Sequence, residues 1–136
     1  MRTKSFTIQF IPHNDQRYET CGDWQYDVDG NHIIYVSSLP DQRMSWLIGF
    51  HELAEFMLCL DRGIKQEDVD AFDIQYEKER EEGLHEDWEE PGYDPRAIYK
   101  KEHFFAESVE RQLSMQFGID WSEYDKKVMS LKKETP

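Results

Sequence analysis

Hydrophobic and polar side chains alternate in two stretches near the start of the chain, which is the pattern of half-buried β-strands. In residues 5–11 and again in residues 23–28, every second side chain is large and apolar. The turn sequence Asp29-Gly30-Asn31 then leads into the apolar run 32–36 and predicts a hairpin. The first third of the chain is therefore predicted to form a small antiparallel sheet.

Beyond residue 40, apolar side chains recur at the spacing of α-helices. The predicted helices are 41–61, 66–82, 96–117 and a short last one that begins at Asp120. Residues 83–95 contain glycine, two prolines and many acids, which predicts a loop. Strands followed by helices indicate one α+β domain over residues 1–136, with three to four helices packed on one face of the sheet.

The net charge of the chain limits the classes of molecule that it is expected to bind. It has 29 acidic and 16 basic residues, a formal net charge of −13. Such a surface repels phosphate backbones and anionic lipids, so neither nucleic acid nor a membrane is an expected partner. The same charge favours the binding of cations or of a basic protein partner.

Two further features bear on the cellular compartment. The N-terminal residues have the pattern of a strand and not of a signal peptide, and no stretch approaches the ~20 apolar residues of a membrane span. Cys21 and Cys59 are the only cysteines, and both are expected to be free thiols. These features predict a cytoplasmic protein.

The first predicted helix contains the main candidate for chemistry. From Met44 to Leu60 it is apolar nearly all round, except for Ser45 and a cluster of His51, Glu52 and Glu55. A helix of this kind is buried on most sides, and His51 and Glu55 share one face because they are four residues apart. Burying a carboxylate is costly unless it is paired or binds a metal. A bound cation explains the cluster, and the competing interpretation is a histidine that is satisfied within the core.

The sequence His51-Glu52-Leu53-Ala54-Glu55 resembles the His-Glu-x-x-His helix of zincin metallopeptidases. In that family the two outer residues hold zinc and the inner glutamate activates water as a general base. The resemblance implies that His51 and Glu55 are metal ligands and that Glu52 is the catalytic base. Glu55 replaces the second histidine, so Zn²⁺ is expected first, with Mn²⁺ or Fe²⁺ as alternatives. A small sheet before the helix and a ligand on a later helix are also similar to minimal zincin folds.

Further ligands are predicted on the later helices. His103 and Glu107 repeat the His-x-x-x-Glu spacing, and His103 is the predicted third ligand. Glu107 is expected to be either a fourth ligand or a partner that orients an imidazole. Asp73 lies beside the apolar stripe of the second helix. It is expected to point inward, as a ligand or as the hydrogen-bond partner of a ligand histidine.

An acidic stretch follows the second helix, with nine acids and two bases between Glu77 and Asp94. One interpretation is a solvated helix end and a mobile loop. The other is a docking surface for a basic partner, or a lid over the metal site. The pattern of residues alone is compatible with both.

Three functions are compatible with these features. The first is a metal-dependent hydrolase of the zincin-like peptidase type, which acts on a peptide or protein substrate. The second is a non-catalytic domain in which a metal joins the first and third helices. The third is an acidic adaptor or inhibitor that docks a basic partner without a metal. A catalytic site requires an open coordination position that faces a cleft, whereas a structural site does not.

Overall fold

The computed structural model describes residues 2–134 and has α+β architecture, as predicted. The strands are β1 (Ser5–Ile11), β2 (Gly22–Gln25) and β3 (Asn31–Ser37). The α-helices of this part of the chain are α1 (Gln42–Asp61), α2 (Gln66–Glu81), α3 (Lys100–Gln116) and α4 (Trp121–Met129). Short 3₁₀ helices span His13–Asp15 and Pro91–Tyr93.

The sheet has the strand order β1-β3-β2 and is mixed, which corrects the prediction of a purely antiparallel sheet. β2 and β3 form the predicted antiparallel hairpin, with Trp24 opposite Ile34. β1 pairs with the other side of β3 in parallel, with Phe6 opposite His32. Alternation along a strand shows which face is buried, but it contains no information about the direction of the neighbouring strand.

The boundaries of the helices agree closely with the hydrophobic pattern. α1 begins after Asp41, whose side chain accepts a hydrogen bond from the backbone N–H of Arg43 at 3.0 Å. The main difference is at the start of α3, where residues 96–99 form turns and the helix begins at Lys100.

The core is formed where α1 packs against the sheet. Ile34 and Val36 of β3 are fully buried, as are Leu47 and Phe56 of α1. The Trp24 ring stacks on Phe56 with 4.6 Å between centroids. α1 also packs along α3 through its most extensive contact with another helix. Side chains of α1 between the sheet and α3 are therefore held from both sides.

One face of α1 is not covered. His51 and Glu55 are buried, as predicted for their face, but Trp46, Phe50 and Met57 are 42%, 41% and 46% exposed. Apolar character all round a helix thus does not ensure burial all round. Within residues 2–134, no helix has both the length and the hydropathy that crossing a lipid bilayer requires.

Candidate metal centre

Three of the predicted site residues converge between α1 and α3. His51 and Glu55 lie one turn apart on α1, and His103 reaches them from the fourth position of α3. One ligand atom from each of the three residues lies within 4.8 Å of the others. Two imidazole nitrogens and a carboxylate oxygen at this separation could hold a metal ion.

Glu55 is at the centre of the group. Its Oε2 lies 3.3 Å from His51 Nε2 and 3.1 Å from His103 Nδ1. Its other oxygen, Oε1, accepts a hydrogen bond of 3.1 Å from the indole N–H of Trp24. The indole therefore fixes the carboxylate so that one oxygen faces both imidazole rings.

The outer nitrogen of each histidine faces a further carboxylate. His51 Nδ1 lies 2.7 Å from Glu110 Oε1, and the hydroxyl of Tyr124 donates to the other Glu110 oxygen. His103 Nε2 lies 3.2 Å from Glu90 Oε2. Carboxylates on the far side of a histidine orient the ring and determine which nitrogen is left for a metal. Both rings are therefore held with one nitrogen directed at Glu55.

The sequence pattern did not identify Glu110 and Glu90 as partners of the ligand histidines. Glu110 lies seven residues after His103 on the same face of α3, so helical periodicity contained a signal for it. Glu90 lies in the acidic loop before α3, where no periodicity relates it to the histidines. Only the folded chain identifies Glu90.

The cluster is strongly coupled electrostatically. Burial alone would lower the pKa of His103, but hydrogen bonds to Glu55 and Glu90 outweigh it and raise that pKa to about 9. Burial would likewise lower the pKa of His51, and the hydrogen bond to Glu110 instead raises it well above its usual value. Burial would raise the pKa of Glu55, yet both histidines hold it below its usual range. Without a metal the cluster is thus an imidazolium–carboxylate network, and a divalent cation would displace its protons.

Glu52 lies beside the cluster and lines the same cavity as His51, Glu55 and His103. Its side chain covers Gly22 of β2 so closely that a Cβ there would lie 2.5 Å from the Glu52 Cγ. Burial, and then the charge of Glu55, raises the pKa of Glu52 well above its usual value. Among residues 2–134, no group donates a hydrogen bond to the Glu52 carboxylate.

Asp73 and Glu107 lie outside the group of three ligands. Asp73 does not contact a ligand histidine, because its carboxylate accepts hydrogen bonds from the hydroxyls of Tyr99 and Tyr18 instead. Burial raises the pKa of Asp73 to about 7. Both acids nevertheless line the cavity.

Glu107 is directed away from the ligands by its position on α3. Its carboxylate interacts with the Tyr93 hydroxyl and lies 3.6 Å from the Arg111 guanidinium. The carboxylate that α3 contributes to a ligand histidine comes from Glu110 and not from Glu107.

Part of the acidic stretch forms a wall of the cavity beside the site. The Arg80 guanidinium donates to the backbone carbonyls of residues 86, 87 and 89. The following turn lies directly on the His103 ring, since a Cβ on Gly92 would be 2.3 Å from its Cγ. Arg80 and Gly92 together allow Glu90 to reach His103.

The site opens into a cavity of about 410 Å³ that is partly open to solvent. Its walls come from the residues before and within β2, from all four α-helices and from the loop around Glu90. A ligand pocket of a few hundred cubic ångströms is large enough for a small molecule or a few residues of a peptide.

His13, which is not one of the candidate ligands, has the contacts of a Ser-His-acid triad. His13 Nδ1 lies 2.7 Å from Ser37 Oγ, and His13 Nε2 lies 2.6 Å from Glu19 Oε2. Ser37 is fully buried, however, and its Oγ also receives a hydrogen bond from Gln16. A nucleophile must reach its substrate, so this arrangement fastens the 3₁₀ segment to β3 and is not an active site.

Comparison of this chain with protein-family models, with curated proteins and with solved structures found no match.

Proposed function

We propose that this protein is a metal-dependent hydrolase that cleaves amide bonds in peptides, with His51, Glu55 and His103 as the metal ligands. The observation that carries the proposal is the convergence of these three side chains beside Glu52 in one cavity. A buried histidine, His51, and a partly buried one, His103, each have an outer carboxylate, which is the arrangement that orients imidazoles toward a metal.

Zinc is the first candidate for the metal. Two histidines and one glutamate are a donor set found in catalytic zinc sites with three protein ligands. Manganese and iron are the alternatives, because carboxylates suit both.

Glu52 is the proposed general base. His51, Glu55 and His103 would hold a divalent cation, which would polarise the substrate carbonyl and make a water molecule more acidic. The Glu52 carboxylate takes the water proton and passes it to the leaving nitrogen. The water oxygen joins the acyl carbon as the C–N bond breaks, so the products are a carboxylic acid and an amine.

The likeness to zincin peptidases supports the proposal through the positions of these residues. Ligands four residues apart on a helix, a glutamate between them and a third ligand on a later helix follow the zincin order. Glu55 in place of the second histidine is the departure. The donor set still contains three protein ligands.

A non-catalytic metal site is the second candidate, and one contact favours it. The Glu90 carboxylate lies 3.2 Å from His103 on the loop that closes over the site. A shift of that carboxylate to the metal would close the open coordination position, as in structural sites with four protein ligands.

The first experiment measures metal content by elemental analysis of purified, tag-free protein from a metal-replete preparation. We expect about one equivalent of metal in the wild type and none in His51→Ala. Metal-free wild-type protein would refute both the hydrolase and the structural site.

The second experiment separates the hydrolase from the structural site with Glu52→Gln. Gln cannot accept the proton, so metal content and fold should be unchanged while turnover of a peptide library falls roughly 10²–10⁴-fold. Glu67→Gln, the same change at an exposed position of α2, is the matched control. The wild type and both variants could instead all retain the metal and all lack turnover. That result would contradict the hydrolase and leave only the structural site.

A further inference from the structure

The walls of the cavity are strongly acidic. Among the residues that the structure describes, the lining includes fourteen Asp and Glu side chains but only two of Lys and Arg, Arg80 and Lys132. Carboxylates crowded in a half-enclosed space repel one another more than they would in bulk water. Such a space favours an occupant that is positively charged.

Several of these carboxylates already have a cationic partner, but two beside the candidate metal centre do not. Arg17 binds both Asp23, at 2.7 Å, and Asp70, at 3.1 Å. Glu52 and Asp73, by contrast, form no ion pair with any group in residues 2–134. Burial raises the pKa of both carboxyls, because a buried carboxylate without a cationic partner is less stable than the protonated acid.

Asp73 is held in a fixed orientation on the α2 wall. The hydroxyls of Tyr18 and Tyr99 donate to different oxygens of its carboxylate. An ionised carboxylate has about four acceptor sites, so about two remain for a ligand. Because the two hydroxyl donors are uncharged, they orient the carboxylate without neutralising its negative charge.

We propose that the cavity selects peptides with a Lys or Arg side chain close to the cleaved bond, and that Asp73 binds its positive charge. This inference rests on the proposed function. Glu52 remains free to transfer the proton.

The test uses short peptides that differ in one side chain. Lys is compared with acetyl-lysine, and Arg with citrulline, so that size is nearly kept and the charge is removed. Equilibrium binding to the protein is measured by calorimetry, and turnover by the release of a fluorophore. We expect the charged member of each pair to bind roughly 10–100-fold more tightly, the range of one charge-assisted hydrogen bond. Equal affinities within both pairs would overturn the proposal.

Two variants separate recognition by Asp73 from the general attraction of an acidic protein. Asp73→Asn and Asp68→Asn both remove one negative charge from α2, but Asp68 is exposed and does not line the cavity. Asp73→Asn should reduce the preference to nearly none and leave the metal content unchanged. Asp68→Asn should retain the preference. Equal loss in both variants would mean that only net charge attracts the peptide.

The two proposals fail in distinguishable ways. Binding that prefers the charged peptides without any turnover would contradict the hydrolase and support the cationic ligand. Turnover that is equal for charged and neutral peptides would support the hydrolase and refute the role of Asp73.

Discussion

The two His-x-x-x-Glu pairs of this protein have the same spacing and opposite outcomes. On α1, His51 and Glu55 both point into the candidate metal centre. On α3, His103 joins them, whereas Glu107 contacts Tyr93 and Arg111. Equal spacing places two side chains on one line along a helix, but it does not determine what that line faces.

The difference follows from how each helix is packed. At the height of His51 and Glu55, α1 lies between the sheet and α3, so both side chains are enclosed. α3 buries only one stripe, formed by Glu102, Ala106, Glu110 and Ser114. His103 and Glu107 each follow a residue of this stripe by one position, so both lie at its edge and are only partly buried. His103 is close enough to α1 to reach Glu55, whereas one turn later Glu107 lies beside Arg111. A His-x-x-x-Glu pair therefore forms a site only where neighbouring elements place further ligand groups against both of its side chains.

The largest expected effect comes from the same substitution in each pair. Glu55→Gln replaces the central carboxylate by a neutral amide and should abolish measurable metal binding, while Glu107→Gln should retain one equivalent. Metal titration by calorimetry and elemental analysis of both variants measures this contrast. Similar metal affinities in the two variants would contradict the ligand set.

The outer carboxylates should have an intermediate effect. Glu110→Gln and Glu90→Gln leave the three ligands in place but weaken the orientation of one ring each. Each should lower metal affinity on the order of 10–100-fold. Competition with a chelator measures the change, with Glu107→Gln as the control. An undiminished affinity in both variants would mean that the rings need no support from these groups.

Substitution of two glycines tests separately a ligand on α3 and the proposed base on α1. A methyl group on Gly92 would meet the His103 ring, and one on Gly22 would meet the Glu52 side chain. Gly92→Ala should therefore weaken metal binding. Gly22→Ala should retain the metal and lower turnover, because only the base is displaced. Overpacking of this kind typically destabilises a fold by ~1–3 kcal/mol, which thermal unfolding will measure. A reversed pattern would contradict the assigned roles.

The smallest effect concerns Asp73, which belongs to neither pair. Its pKa is raised to about 7 by burial, so the folded state holds a proton that the unfolded state releases near pH 4. Asp73 therefore stabilises the folded state less as pH rises from about 4 to about 7, by at most ~1.4 kcal/mol per pH unit.

Asp73→Asn removes that dependence. Its melting temperature relative to wild type should increase between pH 5 and pH 8, as measured by calorimetry at matched ionic strength. Asp68→Asn, on the same helix and exposed, should show no such increase. A constant difference between Asp73→Asn and wild type would show that Asp73 is already ionised at pH 5.

Much of the architecture could be predicted from the sequence. A two-residue period predicted the strands, a helical period predicted the helices, and the Asp-Gly turn predicted the hairpin of β2 with β3. The candidate ligands His51, Glu55 and His103 were found for a related reason. Each is a polar side chain on or beside an apolar face, where it requires a partner.

The tertiary structure alone decided which distant groups meet. Sequence patterns record the environment of a residue but not the identity of its neighbours. The parallel pairing of β1, the reach of Glu90 to His103 and the tyrosines on Asp73 all join residues with no common period. The sequence thus determined that His51, Glu55 and His103 lie at apolar faces and need polar partners. The packing of α1, α2 and α3 determined which groups became those partners. Such contacts depend on distances between separate elements, which no local sequence pattern encodes.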